Sequence, residues 1–162
     1  MKIEKHDDNL VVFLNKKIAP KNINNKIELE KNFQKIFNKL NNIYNLDLNG
    51  NYEINIHDNK EYGIILEIKK EEIEYFDYYD TIDMHLNISK YKDVLYKTTN
   101  IIKNTNIYEY KGELYIEPID IEFNKLGILI ENGEIIYGKK AYIIKKKGKK
   151  LDRKSLKVEN LI

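Results

Sequence analysis

Ile27-Glu28-Leu29-Glu30-Lys31-Asn32-Phe33-Gln34-Lys35-Ile36-Phe37-Asn38-Lys39-Leu40-Asn41-Asn42-Ile43-Tyr44, followed beyond Asn49-Gly50-Asn51 by Tyr52-Glu53-Ile54-Asn55-Ile56-His57, is the stretch on which the fold turns. Leu29, Phe33, Ile36, Phe37, Leu40, Ile43 and Tyr44 recur at spacings of three and four, which sets them on one stripe of a helix. Glu28, Lys31, Lys35 and Lys39 fall on the other, solvated face. Asn24 or Asn25 is placed to cap the start, since a short amide side chain can accept from a backbone N–H that the first turn leaves open. At Tyr52 the period changes from helical to strict alternation, as in a half-buried strand. Asp58-Asn59-Lys60-Glu61 turns the chain and residues 63–68 return, so residues 52–69 are expected to form an antiparallel hairpin against a helix of residues 26–44.

Working outward, residues 2–5 and 9–14 flank the turn formers His6-Asp7-Asp8 and predict an opening hairpin, after which Pro20 and Asn22, Asn24 and Asn25 interrupt. Residues 82–88 alternate strictly, Val94-Leu95-Tyr96 offers a short strand, and residues 107–116 predict a hairpin turning at Lys111-Gly112. Residues 120–137 admit two readings. Asn132-Gly133 between two apolar runs is a good two-residue hairpin turn, whereas Phe123, Leu126, Leu129 and Ile130 would share a helical stripe ended by Gly133. The hairpin is favoured here, because Gly127 weakens a helix interior. The expected fold is α+β: a mainly antiparallel sheet built from hairpins, packed against one long amphipathic helix of about residues 26–44, with a basic C-terminal segment. Residues 1–138 read as a single globular domain, and residues 139–162 as a segment within it or appended to it.

The 162 residues are enough to bury a substantial core, and there is no cysteine for disulfides or thiolate metal sites. The first residues carry charges of both signs where an export signal would be apolar, and no apolar run approaches the roughly 20 residues that span a bilayer. A cytoplasmic protein with no membrane partner is expected. Ile, Asn and Lys together supply 75 residues, against two Ala and one Arg. These are the amino acids of AT-rich codons, which points to a low-GC bacterium and makes any single Lys or Asn a weak signal.

Charge is divided unevenly. Residues 139–162 hold ten basic and two acidic side chains, net +8, while the rest of the chain carries net −6; the sum is the chain's +2. Lys139, Lys140, Lys145, Lys146, Lys147, Lys149, Lys150, Arg153 and Lys154 are the candidates for binding a polyanion, with Lys157 beyond them, and such binding would weaken steeply with salt. Against this stand the single guanidinium, the scarcity of aromatics other than Tyr137 and Tyr142, and the ordinary fate of charge runs as solvated surface. At the other pole, residues 71–83 gather six carboxylates and four aromatics. Tyr75, Phe76, Asp77, Tyr78, Tyr79 and Asp80 are the candidates for docking another protein, since Tyr offers a large contact area at low entropic cost. Asp77, Asp80 and Asp83 match no calcium loop.

Chemistry is poorly provided for. His6, His57 and His85 stand in no metal-binding spacing, although His57 and His85 lie on expected strands that could bring them together. Ser89 and Ser155 are outside any GxSxG elbow, and the seven glycines form no phosphate loop. Glu53, Glu67, Glu113 and Glu117 could face each other across a sheet as an acid–base pair. No catalytic residue, metal ligand or cofactor is assigned. Of the 13 tyrosines, Tyr52, Tyr62, Tyr96, Tyr108, Tyr110 and Tyr115 lie in expected strands, where some read as half-buried sheet residues.

The opening strand, the helix with two strands after it, and residues 126–147 resemble in outline the bacterial MecA-type protease adaptors. The resemblance covers scattered pieces without a shared motif and transfers no residues. The function expected is a non-enzymatic protein–protein interaction or adaptor-type module, engaging another protein or a second copy of itself. The alternative is nucleic-acid or polyanion binding through the Lys-rich C-terminus.

Overall fold

The computed structural model describes residues 1–6, 9–44, 50–71, 82–99 and 102–152. Among them ten strands form two five-stranded sheets accompanied by three helices, a mixed α+β fold. The chain divides into two compact units, Met1–Asp58 with Gly63–Ile88, and Asn59–Tyr62 with Ser89–Ile162.

In the first unit, β1 (Lys2–His6), β2 (Asn9–Asn15), β3 (Gly50–Asn59), β4 (Gly63–Lys70) and β5 (Ile82–Ile88) are ordered β1-β2-β4-β3-β5. Helix α1 (Lys26–Tyr44) covers one face. Its capping residue is Asn25, whose Oδ1 accepts from the Glu28 N–H at 3.3 Å, while Asn24 donates its own N–H to Asn22. Leu29, Phe33, Phe37 and Leu40 are buried against Leu10, Val12 and Leu14 of β2, Tyr52, Ile54 and Ile56 of β3, and Ile64, Leu66 and Ile68 of β4. Each such side chain contributes roughly 1.5–3 kcal/mol of burial. Phe37 meets Tyr52 edge to face, with centroids 5.9 Å apart. Gly63 opens β4 at φ 128°, where a Cβ would lie 2.3 Å from the Leu14 carbonyl oxygen; only glycine fits there. The expected hairpin is present as β3 and β4. The sheet is not purely hairpin-built, however, for β5 runs parallel to β3 with Glu53 opposite His85.

In the second unit, β6 (Val94–Lys97), β7 (Thr105–Tyr110), β8 (Glu113–Pro118), β9 (Glu134–Tyr137) and β10 (Lys149–Leu151) are ordered β10-β7-β8-β6-β9. The β7–β8 turn lies at Lys111-Gly112, both at positive φ as a type I′ turn requires. Two expectations need correction. Residues 123–132 are helix α2 (Phe123–Asn132), not a hairpin arm, and β9 follows it to pair with β6. Burial of Leu126 and Leu129 outweighs the helix cost of Gly127. The fold also has two shorter helices beside the expected long one. The basic run itself contributes α3 (Gly138–Lys147), which packs on β6, β7 and β9, and then edge strand β10, antiparallel to β7.

Candidate polyanion-binding surface

Helix α3 carries five of the candidate lysines, and its register decides what each can do. Ala141 and Ile144 are buried against Leu95, Tyr108, Tyr115 and Ile136 on one face of the second sheet. With that side fixed, Lys139, Tyr142 and Lys146, at spacings of three and four, share an outward stripe, and Lys140 and Lys147 lie further round the exposed side. All four lysines are exposed, as are Lys149 and Lys150 on β10. Lys149 stands opposite Glu109 of β7 and Lys150 opposite Tyr108. Arg153 and Lys154 lie outside the described residues.

Lys145 is the exception. Half-buried beside the sheet, its Nζ donates to Asp93 Oδ1 at 2.8 Å and to Glu117 Oε2 of β8. Glu117 also accepts from the Asn106 amide at 3.1 Å. Burial works against the ammonium charge, but the hydrogen bonds to Asp93 and Glu117 outweigh it and hold the Lys145 pKa above the ordinary lysine value. The same network acts on Tyr108, whose phenol is pushed up by burial first and by the Glu117 charge second. Lys145 is thus a fixed cation that ties α3 to β8 and to the segment before β6. It is neither a neutral amine nucleophile nor an open site for an external anion.

The segment before β6 supplies a partner that the sequence reading missed. Tyr91 packs against Tyr142 with ring centroids 5.2 Å apart and planes at 51°. Lys90 Nζ lies 5.1 Å from the Tyr91 centroid, and Lys146 Nζ lies 5.5 Å from that of Tyr142 while donating to its hydroxyl at 3.3 Å. Tyr142 is 38% exposed and Tyr91 half-buried. A local cue existed: of the 13 tyrosines, Tyr91 alone has lysine on both sides. Its proximity to Tyr142, 51 residues later, left no trace in the sequence.

The other candidates do not assemble. Tyr75, Phe76, Asp77, Tyr78, Tyr79 and Asp80 lie outside the described residues. His57 and His85 do not share a site: His57 donates to Glu67 at 2.6 Å, whereas His85, opposite Glu53 on β5, donates to Glu71 at 3.1 Å. His6 pairs with Glu4, whose carboxyl is raised by burial but more strongly lowered by hydrogen bonds from His6 and Lys2. The four glutamates are divided among different partners. Glu53 accepts from Asn87, Glu67 from His57, and Glu117 from Asn106 and Lys145, while Glu113 forms an ion pair with Lys97 at 3.6 Å. Among the described residues no three His, Cys, Asp or Glu side chains gather as metal ligands, and no helix is long and apolar enough to cross a membrane. No protein family, curated protein or solved structure matches the chain, and the outline likeness to the adaptors brings no residue to this surface.

Proposed function

We propose that the chain is a binding module rather than an enzyme, and that its working surface is the lysine-bearing side of α3 with β10, which receives a polyanion. The observation that supports this reading is the division of labour within one basic run. Lys145 is consumed by Asp93 and Glu117, while Lys139, Lys140, Lys146, Lys147, Lys149 and Lys150 are exposed on the adjoining ordered surface. Lysines held on a helix and a strand lose less freedom on binding than lysines on a loose tail, so more of their attraction for phosphate or sulfate appears as affinity. Engagement of a protein through the acidic, aromatic run at residues 75–80 rests on sequence alone and ranks second. A cytoplasmic setting in a low-GC bacterium agrees with the cysteine-free, Ile-, Asn- and Lys-rich composition.

The test is a salt titration. Fluorescence anisotropy with labelled heparin, inorganic polyphosphate and oligonucleotides should give binding that weakens steeply between about 50 and 200 mM salt. The charge reversals Lys140→Glu and Lys147→Glu together should flatten the salt slope and lower affinity for all three. Absence of salt-sensitive binding to every polyanion would remove the proposal.

A further inference from the structure

The anion that this surface fits is a single-stranded nucleic acid, and we infer that one of its bases stacks on the Tyr142–Tyr91 pair while the neighbouring phosphates lie on Lys90, Lys139 and Lys146. This rests on the polyanion reading above and narrows it to one chemical class. A surface built for sulfate or phosphate alone needs cations and gains little from tyrosine. Here two rings from separate parts of the second unit are brought within 5.2 Å, one of them exposed, and each has a lysine ammonium within 5.5 Å of its centroid.

Aromatic faces flanked by cations are how proteins hold unpaired bases without reading sequence, because every base has a π face and every nucleotide a charge. Along α3, Lys139 and Lys146 bracket Tyr142 and are separated by seven residues, about 10 Å of helix, so the backbone can pass the ring with a cation on either side. A duplex is a poorer fit. Its bases are stacked on one another and out of reach of a ring lying on the protein surface. An acidic peptide would satisfy the lysines and leave the rings unused.

Anisotropy with the full chain separates these partners. A labelled oligothymidylate of about 15 nucleotides should bind about tenfold more tightly than an abasic strand of equal length, which keeps the phosphates and lacks the bases. Tyr142→Ala should remove most of that tenfold while leaving inorganic polyphosphate affinity within twofold, and Tyr142→Phe, which keeps the ring, should behave as the parent. Because Tyr142 is exposed but packs on Tyr91, a small drop in melting temperature is expected for Tyr142→Ala and less for Tyr142→Phe, and melting is measured alongside so that binding is compared on folded protein. Equal affinity for the abasic strand, a duplex or a polyglutamate peptide would overturn the inference while leaving polyanion binding intact. So would a Tyr142→Ala loss of the same size on polyphosphate. Failure of every anion to bind would instead take down the underlying reading.

Discussion

Helices α1 and α3 each lie on a five-stranded sheet, but different forces hold them. Over its 19 residues α1 buries Leu29, Phe33, Phe37 and Leu40 and leaves its charges in water, so its position is a matter of apolar area. Helix α3 has 10 residues and offers its sheet Ala141 and Ile144, with the Lys145 bridge to Asp93 and Glu117 added. The second helix thus spends one lysine on attachment and exposes the rest, which α1 has no need to do. A lysine-bearing surface is anchored here by neutralising one of its own cations.

That contrast can be broken at either end. The largest effect is expected from Phe33→Ala, which opens a cavity under α1 and should cost about 3–5 kcal/mol in urea unfolding. A cost below about 1 kcal/mol would mean that α1 is not held by its apolar stripe. Lys145→Met should cost about 1–2 kcal/mol, between the values for exposed and for buried pairs, because Asp93 and Glu117 are left without their cation. It should also lower polyanion affinity through disorder of α3. If stability is unchanged, α3 is held by Ala141 and Ile144 alone. The Lys145 contribution should be complete below the ordinary lysine value of 10.5 and fade only as pH rises through its higher folded value.

The smallest effect sharpens the picture of the second unit. Among its described residues, the Tyr96 hydroxyl is buried without a hydrogen-bond partner, and burial, then the nearby Tyr62 and Glu61, push its pKa well above the ordinary tyrosine value. Tyr96→Phe should therefore change stability by no more than about 1 kcal/mol at neutral pH, in the stabilising direction if at all. The sign at high pH follows from the raised folded pKa. The unfolded chain ionises first, near 10, so stability present below that value is lost as pH rises beyond it. The phenylalanine variant should lose less stability than the parent as pH rises above 10. Identical alkaline unfolding in the two proteins would mean that Tyr96 ionises in the folded state at no extra cost.

How much of this was legible depended on how far each signal extended along the chain. Helix α1 announced itself because its stripe persists over several turns, and β3 with β4 because alternation resumes on both sides of a turn. Residues 123–132 misled, since Asn132-Gly133 is a strong local hairpin signal and Gly127 a local helix penalty, whereas the burial of Leu126 and Leu129 that decides for the helix is tertiary. Helix α3 was hidden differently. Its two buried side chains, Ala141 and Ile144, are too few to establish a period among so many lysines, so a structural element looked like a tail. The candidate lysines were legible one by one. Lys145 could be told from Lys146 only once Asp93 and Glu117, 52 and 28 positions away, were folded beside it.

Strand β10 forms one border of the second sheet, and a bare border of backbone amides and carbonyls invites another chain to add itself. Two successive lysines, Lys149 and Lys150, occupy that border, so two copies meeting edge to edge would have to bring like charges together. Two of the lysines proposed to receive a polyanion would therefore also act as gatekeepers against aggregation. Charge reversal there preserves the guard, whereas replacing both lysines with uncharged residues would lift it.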